Sequence, residues 1–148
     1  MALYLTPHQI QALESNFGYT FKNKRLLDKA MESAGATSGP GDNRDLAHVG
    51  DPVIRVVFHL DGYTRNGSRG TTSVFHDMNA RNTNLTLIGR SRGLDKYIHV
   101  NPSQWGQVSD KVMATTVEAI IGAVFIDSDW NISIVKLVLV MLGILEDS

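Results

Sequence analysis

The chain has 148 residues and a mass of 16.3 kDa, enough for one domain with a proper core and short of two. Its 43% hydrophobic and 20% charged composition is that of a globular protein, and the absence of cysteine excludes disulfides, zinc–thiolate sites and thiol nucleophiles. The net charge of −1 is unevenly spread: residues 43–100 hold eight basic and five acidic groups, whereas residues 101–148 hold two and six, so a polyanion would meet a local basic patch rather than the whole surface.

The start, Met1-Ala2-Leu3-Tyr4-Leu5-Thr6-Pro7, lacks the basic flank and long apolar stretch of a secretory signal and the arginines of a mitochondrial leader, which makes the cytoplasm the expected location. Thr6-Pro7-His8-Gln9 combines a hydroxyl cap, a first-turn proline and a capping-box glutamine; Ile10, Leu13 and Phe17 follow at helical spacing until Gly18. Asn23 opens a second helix carrying Leu26, Leu27, Ala30 and Met31, and the glycine-rich residues 34–41 form a loop. Leu46, Val49, Val53, Ile54, Val56, Val57 and Leu60 predict a long helix flawed by Pro52, with residues 61–71 as an exposed connection.

Two weaker helices are expected over 72–80 and 82–92, ending at Gly93. Ser109 caps a helix bearing Val112, Met113, Val117, Ile120, Ile121 and Val124, and Asp129 is expected to cap a last one from about Trp130 to Leu145. Its apolar run Leu137–Leu145 covers nine residues, about half of the ~20 a membrane span requires, so no membrane partner is expected. Strand alternation is sparse. The fold class expected is all-α, with residues 1–148 as a single domain.

Three of these segments share one pattern. Residues 17–27, Phe-Gly-Tyr-Thr-Phe-Lys-Asn-Lys-Arg-Leu-Leu, resemble the opening of ribonuclease III domains. Residues 43–54, Asn-Arg-Asp-Leu-Ala-His-Val-Gly-Asp-Pro-Val-Ile, resemble that family's N-E-R-L-E-F-L-G-D-A-V-L signature with several departures. Residues 109–127 are similar to its second catalytic helix, centred on A-D-T-V-E-A-L-I-G-A, and residues 93–98 also fit. The resemblance spans roughly Phe17 to Asp129. It implies the ribonuclease III endonuclease fold, a homodimer, and cleavage of double-stranded RNA by divalent metals held on four carboxylates. Hard cations such as Mg²⁺ take oxygen ligands, and two close together need several negative charges around them.

Carried over residue by residue, the first family carboxylate falls on Ala47, the second on Asp51, the third on Thr115 and the fourth on Glu118. Asp51 and Glu118 are therefore the residual candidate catalytic and metal-binding residues, and two carboxylates at −2 face a site built to offset +4. The expectation is cleavage lost or severely weakened, no tightly bound cofactor, and Mg²⁺ or Mn²⁺ only where activity persists. Arg44, seven residues before Asp51, is expected to be a solvated helix-start arginine, with a role as neutralising cation for Asp51 as the alternative. His48 replaces an aromatic that the family uses at its dimer contact, and is alternatively a core or interface histidine or a substitute ligand. Pro52 predicts a kink beside the site. Asp45, about 120° around the helix from Asp51, and Asp110, in a first turn where acids are favoured anyway, are poor substitutes.

The family's T-H-x-S segment falls on Glu32-Ser33-Ala34-Gly35, where Glu32 would repel phosphate. Arg65, Arg69, Arg81, Arg90 and Arg92 are the candidates for RNA contact. No basic double-stranded-RNA-binding domain is expected after the last helix. The leading expectation is a catalytically impaired ribonuclease III-like protein that binds double-stranded or structured RNA or serves as a structural partner. The alternatives are an active endonuclease with an altered metal shell or a heterologous subunit, and a protein-interaction scaffold of the kind found in ribonucleoproteins.

Overall fold

The computed structural model describes residues 3–36, 41–66 and 81–146, and the helix expected over 72–80 lies outside them. Among the described residues there are six α-helices: α1 (Pro7–Phe17), α2 (Lys24–Ala30), α3 (Arg44–Asn66), α4 (Arg81–Ser91), α5 (Asp110–Asp127) and α6 (Ile132–Leu142). Short 3-10 turns cover Leu94–Tyr97 and Pro102–Gln104. No strand forms among them; a single parallel bridge joins Glu32 to His99. The fold is all-α.

The caps explain where several helices begin. The Thr6 hydroxyl accepts from the Gln9 N–H at 3.1 Å while the Gln9 side chain accepts from the Thr6 N–H at 3.0 Å, closing the capping box. Gly18, at φ 71°, ends α1 by donating to the Glu14 carbonyl. The Asn23 and Ser109 side chains cap α2 and α5 as expected. Asp129 does not cap α6. Asp129 and Trp130 both adopt left-handed backbone, at φ 57° and 64°, whereas a capping residue needs an extended one. The cap is Asn131, which accepts from the Ile134 N–H, and α6 stops at Leu142 because Gly143, at φ 82°, closes a Schellman pair with Ile144.

The long helix also departs from expectation. α3 continues through residues 61–66, so the exposed connection does not begin at Asp61. Gly62 is buried inside the helix, and Asp61 holds the extra turns in place through Arg65 at 3.0 Å and Lys136 of α6 at 3.6 Å. Those contacts offset the ~1 kcal/mol that an interior glycine costs.

α5 is the axis of the molecule, with α2, α3, α4 and α6 packed around it. Its residues Thr116, Val117, Ala119–Val124 and Asp127 are buried, so its C-terminal half is enclosed on nearly every side while a polar stripe through Lys111, Thr115 and Glu118 stays open. The α3–α5 contact is the most extensive, and two glycines make it possible. A Cβ on Gly50 would overlap the Glu118 carbonyl and lie 2.9 Å from the Gly122 nitrogen; one on Gly122 would overlap the Leu46 carbonyl. The two backbones therefore touch where any side chain would separate them.

A second tie joins the ends of the motif. Asp127, 7% exposed at the end of α5, accepts from the Tyr19 hydroxyl at 2.7 Å and from the Lys22 and Asn23 N–H groups at 2.8 and 2.9 Å. Burial pushes its carboxyl upward, but these donors outweigh it and hold the pKa below the ordinary carboxylate value. Burial and the same hydrogen bond push the Tyr19 hydroxyl well above its ordinary value. The tryptophans stand apart from this core: Trp105 is 91% exposed and Trp130 74%.

Gly50→Ala and Gly122→Ala are expected to lose about 3 kcal/mol or more, read as a lower denaturant midpoint, because backbone atoms on both sides cannot yield. Gly89→Ala should cost less, since its new methyl meets the flexible Met113 side chain. Asp127→Asn should destabilise by about 1–3 kcal/mol at neutral pH. Because the folded pKa of Asp127 is depressed, its contribution is complete above the unfolded value of about 3.9 and is lost as pH falls through the folded value. Acid titration by circular dichroism should accordingly show a shallower loss below about pH 4 in the variant than in the wild type.

Candidate functional site at the crossing of two helices

The glycine contact sets residues 47–51 of α3 against residues 115–122 of α5. Gly50 lies on the Glu118 carbonyl, and Asp51 is the next residue along α3. Asn43 fixes the register from below. Only 1% exposed, it donates from Nδ2 to the Ala30 carbonyl at 2.9 Å and to the Thr116 hydroxyl at 3.1 Å, while its own N–H reaches the Glu32 carbonyl at 2.8 Å. One side chain thereby joins the end of α2, the start of α3 and the middle of α5.

Around this frame the candidate residues separate. Ala47 is 6% exposed and contributes a methyl to the core. Thr115 and Glu118 face an open groove of about 540 Å³ between α4 and α5. Its other walls are Thr86, Leu87 and Arg90 from α4 and Asp110, Lys111 and Ala114 from α5. Asp51 is not part of that wall. Its carboxylate pairs with Arg55, one turn along α3, at 3.0 Å. Among the described residues no three His, Asp or Glu side chains converge in a way that would hold a metal.

Arg44 is the exposed helix-start arginine expected of it, and the alternative pair with Asp51 is not seen. Arg44 points outward and pairs with Asp42 at 2.8 Å, and its guanidinium holds the Asp42 carboxyl below the ordinary range. Seven residues place two side chains on one helix face but about 10 Å apart along the axis, whereas Arg55 lies only one turn from Asp51. His48 is exposed, which removes the core alternative for it. α3 runs through Pro52 without interruption; the proline stands on the exposed face. Asp45 is exposed, and Asp110 pairs with Arg90 at 2.8 Å.

The arginines act largely on their own chain. Arg65 reaches Asp61 and the Glu146 carbonyl, Arg90 reaches the Val108 carbonyl as well as Asp110, and Arg92 reaches the Met141 carbonyl. Arg69 lies outside the described residues, as does the side chain of Arg81. In the segment 32–35, Ser33 is buried and donates its hydroxyl to the His99 carbonyl at 2.8 Å.

Sequence reasoning missed Arg55, although an acid followed four residues later by a base is a readable signal on a helix. It also read Gly50, Gly122 and Asn43 only as motif letters. Their packing role needs the partner helix to be seen.

Comparison with known proteins bears on the same region. The Ribonuclease III domain pattern matches residues 44–129. The chain is 32% identical over 128 residues to Ribonuclease 3 of Vibrio vulnificus, covering 83% of this chain and 56% of that protein. It is 33% identical over 125 residues to Ribonuclease 3 of Vibrio campbellii, covering 81% and 55%. The chain thus spans about half the length of the curated relatives it matches. In three dimensions it is similar to the nuclease domain of the Campylobacter jejuni ribonuclease III in two structures. The TM-scores are 0.79 and 0.74 at 22% and 21% identity, with 90% of this chain covered in each.

Asn43→Ala should lower stability by about 2–3 kcal/mol, because the Ala30 carbonyl and the Thr116 hydroxyl lose a buried partner together. Thermal unfolding would show it, and amide hydrogen exchange should rise first where α2, α3 and α5 meet.

Proposed function

Since the chain belongs to the ribonuclease III domain family, we propose that it is a member whose metal-dependent cleavage is lost or severely weakened, and which binds double-stranded or structured RNA or serves as a structural partner. The observation that carries this reading is the donor set at the crossing. Of the four positions to which the family's carboxylates carry over, 51 and 118 hold acids, 47 holds a buried methyl and 115 an uncharged hydroxyl. Asp51 is paired with Arg55. A pair of divalent cations needs more negative oxygen than this, so the residues present do not fit a two-metal centre and no hydrolytic step is assigned to one. Loss of a single transition-state electrostatic element typically costs about 10²–10³ in rate, and here several are missing.

What the fold keeps is surface. α3 presents Val56, Leu60 and Tyr63, 46%, 51% and 77% exposed, and this stripe supports a homodimer through α3. On α6, Leu137 and Met141 are 69% and 50% exposed, a second apolar stripe that suits a protein partner. The groove between α4 and α5, with Arg90 and Lys111 at its edge, is the place proposed for RNA backbone contact.

The deciding experiment is a time course of long double-stranded RNA with the purified protein in Mg²⁺ and separately in Mn²⁺, beside an Asp51→Ala/Glu118→Ala variant. Intact RNA in both metals is the expected result. Short duplex products that vanish in the variant would show that Asp51 and Glu118 hold a working metal and that the protein is an active nuclease with an altered shell. Binding is then read by gel shift at two salt concentrations, where affinity should fall steeply with salt.

A further inference from the structure

We propose that the Arg55 guanidinium is a tethered counter-ion that occupies Asp51 in place of a divalent cation. The inference rests on the reading of 47, 51, 115 and 118 as the family's ligand positions. Arg55 lies one helical turn beyond Asp51 with Nη2 3.0 Å from Oδ2, in the order, acid before base, that a helix favours. The pair is only partly in solvent: the Asp51 side chain is 29% exposed and that of Arg55 52%. A guanidinium stays protonated at every working pH, so this charge cannot be titrated away as an imidazole's can.

Two nearby cations among the described residues have partners of their own. Arg44 is held by Asp42, and Lys136 by Asp61. Lys111 stands on the rim of the groove that Glu118 faces, two turns earlier on α5. A dication approaching Asp51 must therefore displace Arg55 or sit against it, and either lowers its affinity. The substitution also changes what the site offers a phosphate. A guanidinium can hold a phosphate oxygen by charge-assisted hydrogen bonds, yet it supplies no bound water as a nucleophile.

The test measures Mn²⁺ binding directly, by the electron paramagnetic resonance signal of the free ion, in the wild-type protein and in Arg55→Gln and Arg55→Lys. All three are compared again in an Ala47→Glu/Thr115→Asp background, where affinity is high enough to read, with thermal melting to confirm folding. Arg55→Gln should tighten Mn²⁺ by roughly threefold to tenfold, and Arg55→Lys, which keeps the charge, should stay near its parent. An unchanged affinity in Arg55→Gln in the restored background overturns the proposal. Equal gains in Gln and Lys also overturn it, since charge would not be what excludes the ion. No binding by Ala47→Glu/Thr115→Asp itself overturns the placement of the site, and this inference with it. RNA cleavage is followed separately on the same samples, so intact RNA alongside an unchanged Arg55→Gln affinity removes the counter-ion and leaves the proposed function standing.

Discussion

Direct contact between two helix backbones at Gly50 and Gly122 is the constraint on which the rest of the molecule depends. Side chains normally keep packed helices 8–10 Å apart, and here a hydrogen atom on each partner lets the carbonyls of Leu46 and Glu118 approach the opposite chain. Such closeness forces α5 into the interior, which in turn demands the uninterrupted apolar sequence from Ala119 to Val124. The remaining helices then have one job, to cover α5. Asn43 and Asp127 bind the two ends of this arrangement with hydrogen bonds that apolar contact alone could not orient.

The same geometry separates what holds the fold from what lines the candidate site. The crossing is held by glycines, Asn43 and apolar residues, none of which belongs to the carboxylate set. Ala47 adds apolar burial to the core, and Thr115 on a groove wall keeps its hydroxyl able to meet water. A scaffold of this kind is available for binding roles whatever becomes of hydrolysis.

Much of the fold could be read from residues because its signals are local. Thr6 to Gln9, Gly18, Asn23 and Ser109 mark helix ends by short-range hydrogen bonds, and the structure places them so. The errors arose where distant contacts overrule local ones. Gly62 reads as a breaker until Lys136 of α6 is seen to hold Asp61, and Asp129 reads as a cap until the chain is seen to turn through two left-handed residues. At the candidate site, Asp51 and Glu118 were visible as motif letters. The choice of Arg55 over Arg44 as the partner of Asp51 depended on axial distance along the helix, which a face-only reading ignores.

Both tryptophans of the chain, Trp105 and Trp130, stand in solvent rather than in the core. Their intrinsic fluorescence is therefore water-like in the native state already, and unfolding will barely move it. An optical titration that looks flat for this protein reports the placement of its indoles, not an absence of cooperativity. The same placement makes them good reporters of the opposite event, because any macromolecule that covers the loop before α5 or the turn before α6 will quench or blue-shift a signal that folding leaves untouched.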